Sequence, residues 1–568
     1  MDNYFIDNKD MIFHFENMNI EKIVELYEDN YKKHEKYDYA PKNYDDAKLN
    51  YKKSLEIMGE ICAEKIAPLA EDIDESDQIH IDGDVEYNEY TKKALNLLQD
   101  AGFTGITVPR KYEGLNFPTV IYIMMIELVA RAEAGLMNIF SLQDIGETIY
   151  EFASEEMKEK YVKQFARGEV TGAMILTEPG AGSDLQKVRT KAIYDEENEE
   201  WKLYGTKRFI TNGNADVSLV LARSEEGTHD ARGLSMFLIE KDDTVNIRRI
   251  EEKLGLHGSP TCEMQFNGTK AQLIGRRKMG LIKYVMSLMN GARLGIAGQS
   301  LGIAEAAYQA ALEYAKEREQ FGKSINNIPA VYDMLTDMRI KIEAARTLTY
   351  FTSKMVDYKK GYEKAFERTK DRDYRKKMKE YKGIADTLTP MSKAYSSEIA
   401  NEVAYDALQV HGGDGYMKDY DVERHYRDAR ITNIYEGTTQ LQVVASIRGI
   451  ISGKLNSTFD KLEEKIDKTC SKERSLIVEM REKLNEAIKM YKEMNEEKKG
   501  FYAKNINDMA TKIMISYLLL IDAIKTKRKR LVAGSFIKKS IGIFDSHLRY
   551  IKELDQTIIN NNQLIYDV

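Results

Sequence analysis

Apolar residues recur at helical spacing from about residue 41 to residue 168. In NYKKSLEIMGEICAEKIAPLAEDI they fall on one face of a helix, which Pro68 is expected to interrupt. The later stretch SEEMKEKYVKQFARGE has the same periodicity, and Ser154 precedes it as an expected N-cap. The pattern predicts an N-terminal α-helical domain over residues 41–168, preceded by an extension over residues 1–40.

The pattern changes after Gly168 to short runs in which apolar and polar residues alternate. Segments such as TKAIYDEENEEWKLYGTKRFIT, VSLVLARS and LSMFLIEK are rich in aromatic and β-branched residues and are separated by turn signals. Such alternation is typical of strands that bury one face. Residues 169–282 are predicted to form an antiparallel β domain.

Helical periodicity returns at about Lys283 and continues to the end of the chain. Residues 283–452 are predicted to form a helical bundle, with the densely charged stretch 357–382 as a solvated insertion between two of its helices. Residues 453–568 are predicted to add a further helical domain. The predicted fold class is α+β, with an N-terminal α-helical domain, a central antiparallel β domain, a C-terminal four-helix bundle and an appended α-helical domain.

The first helix of the predicted bundle carries a series of closely spaced glycines. Gly291, Gly295, Gly298 and Gly302 would line one face of this helix with almost no side chain. A neighbouring helix or a ligand could then approach the backbone. Taken alone, the glycines favour tight helix packing.

Net charge and cysteine content narrow the classes of function. The formal net charge of -8 gives no general affinity for nucleic acid or anionic membranes. The three cysteines form no CxxC pair and the eight histidines show no metal-ligand spacing, so neither a disulfide framework nor a metal site is expected. The acidic N-terminus lacks a signal-peptide core, and the apolar run 513–524 is too short to span a bilayer and predicts a buried helix. We therefore expect a cytoplasmic protein.

Two segments of the β domain have the composition of ligand-binding elements. MILTEPGAGSD, residues 174–184, ends a strand in a loop that contains Thr177, Gly182 and Ser183. Such a loop can offer N–H groups and hydroxyls to an anionic or heteroaromatic ligand, although an ordinary strand-end turn has the same composition. KRFITNG, residues 207–213, places an aromatic, an aliphatic and a hydroxyl side chain on a strand, as either a flat ligand wall or a core strand.

Three further segments lie in the predicted bundle. EREQFGKSI, residues 317–325, places polar side chains beside an aromatic one, and LQVHGGDGY, residues 408–416, has a glycine pair whose backbone could contact a pyrophosphate. RITNIYEGTTQLQ, residues 430–442, sets a lone carboxylate, Glu436, before a glycine. If this acid is a base that faces a pocket, the glycine lets a ligand approach the backbone closely.

Together the five segments resemble the acyl-CoA dehydrogenase family of flavoproteins, over roughly residues 41–452. The family's hallmarks are a TEPxAGSD loop, an aromatic-Ile-Thr strand, an RxxFG helix end, a QxxGGxG turn and an IYEGT loop, and all five occur here in that order. The resemblance implies an FAD enzyme that desaturates an acyl-CoA thioester between its α- and β-carbons. A base removes the α-proton, and the β-hydrogen leaves as a hydride to flavin N5.

The resemblance also implies roles for individual residues. Glu436 matches the catalytic base, and Ala292 occupies the position that carries the base in some relatives, so no second candidate competes there. The family holds the thioester oxygen through the base residue's own N–H and a flavin hydroxyl, which stabilises the developing enolate. The residues implied in substrate binding are Ser183, Asn290, Arg293 and Gly437. The residues implied in FAD binding within one subunit are Met174, Ile175, Leu176, Thr177, Gly182, Ser183, Phe209, Ile210, Thr211, Thr438 and Gln440.

A homo-oligomer, most simply a homodimer, is implied by a second set of cofactor residues. These match family positions that reach the FAD of a neighbouring subunit: Arg318, Gln320, Phe321, Gln409, Gly412 and Gly413. The length of the chain, its N-terminal extension and its charged insertion are similar to a longer branch that includes methylthiopropanoyl-CoA dehydrogenases. The implied role is in fatty acid metabolism by β-oxidation, with electrons passing to an electron-transferring flavoprotein. The resemblance does not determine which acyl group the substrate carries.

Two other interpretations stay open on the sequence. Acyl-CoA oxidases share much of the fold and return electrons to oxygen. Some long relatives bind DNA through a basic C-terminal domain, and the run KTKRKR at 525–530 is of that kind. The charges of the tail are nearly balanced and alternate in sign, which favours a solvated helix end, so a nucleic-acid partner is not expected.

Overall fold

The computed structural model describes residues 2–553 and 556–566, and its N-terminal part consists of short helices with one small hairpin. The hairpin strands are β1 (Ile79–Ile81) and β2 (Asp84–Glu86). The helices are α1 (Lys9–Asn17), α2 (Glu21–Tyr27), α3 (Tyr44–Ile61), α4 (Ala70–Glu75), α5 (Glu89–Asp100), α6 (Thr119–Ala132), α7 (Ala134–Ser141), α8 (Asp144–Phe152), α9 (Glu155–Met157) and α10 (Lys163–Arg167). Ser154 is the N-cap of α9, as predicted, because its side chain accepts a hydrogen bond from the Met157 N–H.

The middle of the chain forms a mixed β-sheet. Its strands are β3 (Gly172–Ile175), β4 (Lys191–Asp195), β5 (Glu200–Thr211), β6 (Val217–Arg223), β7 (Leu234–Glu240), β8 (Val245–Ile250) and β9 (Thr261–Leu273). The pairs β5–β9 and β6–β7 are antiparallel, but β3 runs parallel to β6. The predicted β domain is present, and its one long parallel pairing is possible because β4 and β5 lie between β3 and β6 in the chain.

Long helices form the rest of the chain. The bundle consists of α11 (Met286–Glu317), α12 (Pro329–Thr369), α13 (Arg372–His411), α14 (Val422–Ala429) and α15 (Thr439–Ile451), with a hairpin of β10 (Glu319–Gln320) and β11 (Lys323–Ser324) between α11 and α12. The appended helices are α16 (Asn456–Glu463), α17 (Ser471–Glu493), α18 (Glu496–Ala523), α19 (Lys527–Glu553) and α20 (Thr557–Tyr566). The order of helical, β, bundle and appended parts agrees with the predicted fold class.

One large apolar core joins the N-terminal helices to α11, α12 and α13. A second core joins the outer side of the bundle to the appended helices α16–α19. Most of the apolar run 513–524 is buried within α18 in this second core, as predicted. In the ranges that the structure describes, no helix is long and apolar enough to cross a bilayer.

The charged stretch 357–382 is not a separate solvated segment. It forms the end of α12 and the start of α13 and so lengthens both helices. Asp357 is fully buried and accepts hydrogen bonds from the Thr119 N–H at 2.6 Å and the Val120 N–H at 3.0 Å, at the start of α6. Tyr362 packs beside α2 of the N-terminal extension. The prediction is wrong for the first half of the stretch, because its partners lie far away in the sequence.

A buried ion-pair network joins four parts of the chain. The Arg346 guanidinium of α12 lies 2.6 Å from Asp10 of α1, 2.6 Å from Glu127 of α6 and 2.6 Å from Glu305 of α11. Lys529 of α19 pairs with the same Asp10. The N-terminal extension, the N-terminal helices, the bundle and the appended domain therefore share one set of buried charges.

The basic run 525–530 contributes to this network. Lys529 is 2% exposed and lies 2.9 Å from Glu343 of α12, with which Arg528 also pairs. The prediction of a solvated helix end is wrong for Lys529, because acids from remote segments neutralise it. Arg528 and Lys529 are therefore engaged in ion pairs within the chain.

Candidate active site

The Glu436 carboxylate faces a narrow cavity between the β domain and the bundle. Glu436 lies between α14 and α15 with a φ of 52°, which is uncommon for a residue with a side chain. Its Oε2 is buried and has no hydrogen-bond partner among the described residues. Met174 and Thr211 of the β domain and Ala292 and Gly295 of α11 line the same cavity, which we call the Glu436 cavity. Strain of this kind is found where a side chain is held for function.

The residue before the carboxylate is anchored to the surrounding helices. The Tyr435 hydroxyl donates to the side-chain oxygen of Gln299 on α11 and to that of Asn138 on α7, the latter at 3.2 Å. Gln299 in turn donates to Asn138 at 2.9 Å. This network fixes the N-terminal side of the Glu436 turn.

The residue after the carboxylate is anchored by two side chains that the sequence did not single out. Gly437 has a φ of 89°, and its carbonyl accepts hydrogen bonds from Lys393 Nζ at 2.7 Å and from Gln442 Nε2 at 2.8 Å. Gln442 also donates to the Glu436 carbonyl at 3.0 Å. Both carbonyls are therefore used, whereas the Glu436 N–H has no acceptor in the described part of the chain and is free to bind a ligand.

Two cations balance the burial of the carboxylate. Burial raises the pKa of Glu436, while Lys393 and Arg293 act in the opposite direction. Burial also lowers the pKa of Lys393 to about 8 and lowers the pKa of Arg293. Of the residues predicted to line the substrate path, Arg293 acts on the charge of Glu436, and it donates to Asn290 at 3.1 Å. A carboxylate with a raised pKa that can still ionise suits a general base.

The strand and the loop predicted to face the cofactor meet side by side. Met174 and Thr211 bring the ends of β3 and β5 to the Glu436 cavity. The Arg208 N–H donates to the Thr177 carbonyl at 3.0 Å, which ties the loop after β3 to β5. Three of the predicted cofactor residues have buried side chains, so only their backbone atoms could contact a ligand: Ile175, Leu176 and Ile210.

Phe209 leaves the sheet at a bulge. The register of β5 against β9 shifts after Lys207, and Phe209 has a φ of 61° and a half-exposed ring. In the adjoining loop, a Cβ added to Gly180 would meet nothing within 4 Å, and one added to Gly182 would meet only the Thr177 methyl at 3.9 Å. The Phe209 ring, the Thr177 hydroxyl and the Gly180–Gly182 backbone together form an open ledge. Its shape and chemistry fit the planar ring of a flavin.

A buried ion pair that the sequence analysis missed supports this ledge. Lys207 is fully buried, with its Nζ 3.0 Å from Glu178 and 2.8 Å from the carbonyls of Leu176 and Leu221. Glu178 also accepts from the Thr190 N–H at 2.9 Å. The signal for this pair was a charged residue inside each of the two β-domain motifs.

Six predicted cofactor residues lie outside the Glu436 cavity, on the exposed end of the bundle. Phe321 is 93% exposed at the tip of the β10–β11 hairpin, with a φ of 53°. The Tyr314 hydroxyl donates to Asp414 at 2.7 Å, which brings the end of α11 next to the turn after α13. The exposed residues at this end are Arg318, Gln320, Phe321, Gln409, Gly412 and Gly413.

Three further predicted residues, Thr438, Gln440 and Ser183, do not line the Glu436 cavity. Thr438 is the N-cap of α15 and accepts a hydrogen bond from the Leu441 N–H, so its side chain has a structural role. Gln440 is exposed in the first turn of α15, and Ser183 is exposed in the loop after β3. Among the described residues, no group of three or more His, Cys, Asp or Glu side chains could hold a metal ion.

Comparison with known proteins identifies the class to which this fold and site belong. Family models for the acyl-CoA dehydrogenase N-terminal, middle and C-terminal domains match residues 52–169, 173–269 and 282–451, and a model for a further acyl-CoA dehydrogenase C-terminal region matches residues 453–557. The chain belongs to the acyl-CoA dehydrogenase family, whose members are oxidoreductases that act on CH–CH bonds.

Individual relatives agree with this assignment. An acyl-CoA dehydrogenase of Bacillus subtilis is 35% identical over 70% of this chain and 97% of its own length. The CarC subunit of a caffeyl-CoA reductase–Etf complex of Acetobacterium woodii is 33% identical over 65% of this chain and 91% of its own length. The crystal structure of an acyl-CoA dehydrogenase complexed with FAD from Bacillus anthracis superposes with a TM-score of 0.76 at 25% identity, over 89% of this chain and 88% of that one.

Lys393→Met is expected to raise the pKa of Glu436, because a nearby cation that lowers it is lost. A base acts only when deprotonated, so the acidic limb of the pH–rate profile for flavin reduction should move to higher pH, with a loss of about tenfold below that limb. Lys393→Arg should restore the profile, and Lys472→Met, at an exposed position, is the control. An unchanged profile in Lys393→Met would show that Lys393 does not tune the base.

Proposed function

We propose that the chain is an FAD-dependent acyl-CoA dehydrogenase in which Glu436 is the base that removes the α-proton of an acyl-CoA thioester. The observation that carries the proposal is the unpartnered, buried Oε2 of Glu436 in a cavity that Met174 and Thr211 also line. The acid therefore shares one space with the strand ends that resemble the flavin-facing segments of the family.

The residues around the cavity account for the chemistry of proton removal. An α-proton is far less acidic than a carboxylic acid, so its removal requires stabilisation of the enolate that forms. The free N–H of Glu436 can donate to the thioester oxygen while the carboxylate of the same residue takes the proton. Arg293 and Lys393 favour the ionised form of that carboxylate, against the effect of burial. FAD, when bound, accepts the β-hydrogen as a hydride.

The proposed electron acceptor is an electron-transferring flavoprotein. The proposed location is the cytoplasm, and the proposed role is in the β-oxidation of fatty acyl-CoA. The caffeyl-CoA reductase relative is named as a subunit of an Etf complex, which supports an acceptor of this class. That relative is named a reductase, which supports the reverse reaction, the reduction of an enoyl-CoA, as a second possible direction for this chain. Because every step is reversible, the same Glu436 would then donate the α-proton to an enoyl-CoA.

The second part of the FAD site is proposed to come from a neighbouring subunit of a homodimer. One end of the bundle carries an aromatic ring that is 93% exposed, at Phe321, and the open Gly412–Gly413 turn, where an added Cβ would meet nothing within 4 Å. Sedimentation should give a dimer, and a structure with FAD should show Arg318 contacting the flavin nucleotide of its partner. A monomer with a full flavin complement would contradict this arrangement.

An acyl-CoA screen of the flavin-loaded protein tests the proposed function. Acyl-CoAs of different chain length and branching are mixed with the protein without oxygen, and the flavin absorbance is followed. At least one should bleach the flavin and yield a 2-enoyl-CoA. Peroxide release in air then separates the oxidase alternative, in which oxygen is the acceptor, from transfer to an electron-transferring flavoprotein. A protein that takes up no FAD, or a flavin that no acyl-CoA bleaches, would contradict the proposal.

A further inference from the structure

A second carboxyl group lines the Glu436 cavity. Asp144, at the start of α8, shares this cavity with Glu436 and with the apolar side chains of Leu142 and Ile145. A Cβ built on Gly291 of α11 would have Asp144 Oδ2 as its nearest neighbour, at 3.8 Å, so this carboxyl faces the glycine-lined side of α11. The acyl chain of a substrate bound in this cavity would therefore pass close to a carboxyl group.

Within the part of the chain that the structure describes, neither an ion pair nor a helix cap explains the position of Asp144. It does not cap α8, whose N-cap residue makes no side-chain hydrogen bond, and its buried Oδ1 has no donor among the described residues. The neighbouring acid Glu147 pairs with Lys360 at 2.5 Å. The Tyr122 hydroxyl donates to the Ser141 carbonyl at 3.3 Å and also lies within reach of Asp144, whose pKa it lowers, so Oδ1 is the Asp144 oxygen left without a donor. Burial and the Glu147 charge raise the pKa of Asp144 to about 7.

The polar groups on the same wall of the cavity as Asp144 are already engaged. The Asn138 amide donates to Ser259 at 3.2 Å, and its oxygen accepts from Gln299 and Tyr435. The Ser141 hydroxyl donates to the Asn138 carbonyl at 3.1 Å. On this wall Asp144 Oδ1 is the buried acceptor that has no donor among the described residues. Covering it with a hydrocarbon chain would leave a buried polar group unpaired, which is unfavourable.

We propose that Asp144 selects acyl-CoA substrates whose acyl chain carries a hydrogen-bond donor, a hydroxyl or an ammonium group, away from the thioester. This inference rests on the function proposed above and names the substrate class of the same site. A chain that ends in a carboxylate is repelled by like charge where Asp144 is ionised, and an unsubstituted chain leaves Asp144 Oδ1 unpaired. Sites built to hydrogen-bond a substrate group discriminate strongly against analogues that lack it.

Calorimetry with non-reacting analogues tests this inference apart from catalysis. The probes are acyl-CoA analogues with sulfur in place of the β-carbon and with a terminal hydroxyl, ammonium or methyl group on chains of equal length. The flavin-loaded wild type should bind the hydroxyl or the ammonium analogue at least about tenfold more tightly than the methyl analogue. Asp144→Leu should reverse the order. Asp144→Asn should keep the preference for the hydroxyl group and lose that for ammonium.

The outcomes separate the two proposals. The wild type and Asp144→Leu could show the same ratio of affinities for the hydroxyl and methyl analogues, while plain acyl-CoAs still reduce the flavin of the wild type. That result would overturn the role of Asp144 and leave the proposed function standing. Failure of every analogue to bind the wild type would overturn both. If Asp144→Leu does not fold, Asp144→Asn provides the test through the ratio of its affinities for the ammonium and hydroxyl analogues. A ratio equal to that of the wild type would overturn the inference.

Discussion

Glu436→Gln should lower the rate of flavin reduction by at least about 10⁴-fold while leaving FAD and acyl-CoA binding nearly unchanged. The substitution keeps the shape and the hydrogen-bonding capacity of the side chain but removes the basic oxygen pair, so it acts on the transition state. General-base steps contribute on the order of 10²–10⁴-fold, and the top of that range is expected because Ala292 offers no replacement base.

The structure adds one competitor and so sharpens this test. Asp144 is a second carboxyl group in the same cavity. Asp144→Asn should keep flavin reduction by its preferred substrate within about tenfold of the wild-type rate, because that carboxyl binds the chain rather than the α-proton. Anaerobic rapid mixing of both variants with substrate is the measurement. Reduction by Glu436→Gln within tenfold of wild type, with a collapse in Asp144→Asn, would move the base to Asp144.

Arg346→Met should destabilise the protein by about 3–5 kcal/mol. The substitution removes the cation that contacts Asp10, Glu127 and Glu305, and it leaves their charges buried and uncompensated. Those acids belong to different parts of the chain. The N-terminal extension should therefore detach, and α6 and α11 should pack less well against each other. Urea unfolding and limited proteolysis of the first forty residues are the measurements.

Arg528→Met is the matched control for this network. Arg528 also pairs with a buried acid, Glu343, but its own side chain is 55% exposed, so its loss should cost no more than about 1 kcal/mol. Equal destabilisation by the two variants would show that burial does not set the strength of these pairs.

The course of the fold could be predicted from sequence because periodicity is local. Helical and strand patterns gave the order of the four parts, and the Ser154 cap and the buried run in α18 were correct for the same reason. The direction of β3 could not be predicted, since pairing depends on where the chain returns. The same limit hid the partners of Asp357 and Lys529, whose burial is decided by segments hundreds of residues away.

The glycine series of α11 shows how one pattern divides between two roles. A Cβ on Gly302 would stand 2.5 Å from the Glu127 carbonyl and one on Gly298 would stand 3.0 Å from Ile126, so these two glycines allow tight packing against α6. Gly295 instead lines the Glu436 cavity, and Gly291 faces Asp144 across it. The sequence predicted the close approach, and only the neighbouring elements determine which glycines meet a helix and which meet a ligand.

The site itself was predictable as a set of motifs and not as an electrostatic arrangement. Glu436, Met174 and Thr211 were singled out and share one cavity. Lys393, Gln442 and Asp144 were missed, because a single charged or amide residue within a helix carries no local signal of what it faces. Their roles depend on side chains from α7, α11, α13 and α15 that meet only in the folded protein.

Hydrogen exchange at the α-carbon tests the central claim most directly, because it reports proton removal without flavin reduction. An acyl-CoA analogue with sulfur in place of the β-carbon, carrying the terminal group that binds best, is incubated with the flavin-loaded protein in heavy water. Deuterium at the α-carbon is then measured by mass spectrometry. Wild type should exchange the α-hydrogen, and Glu436→Gln should exchange it at least about 10³-fold more slowly although it binds the analogue equally well. Exchange by Glu436→Gln within tenfold of wild type, or none by wild type with the analogue bound, would contradict the account.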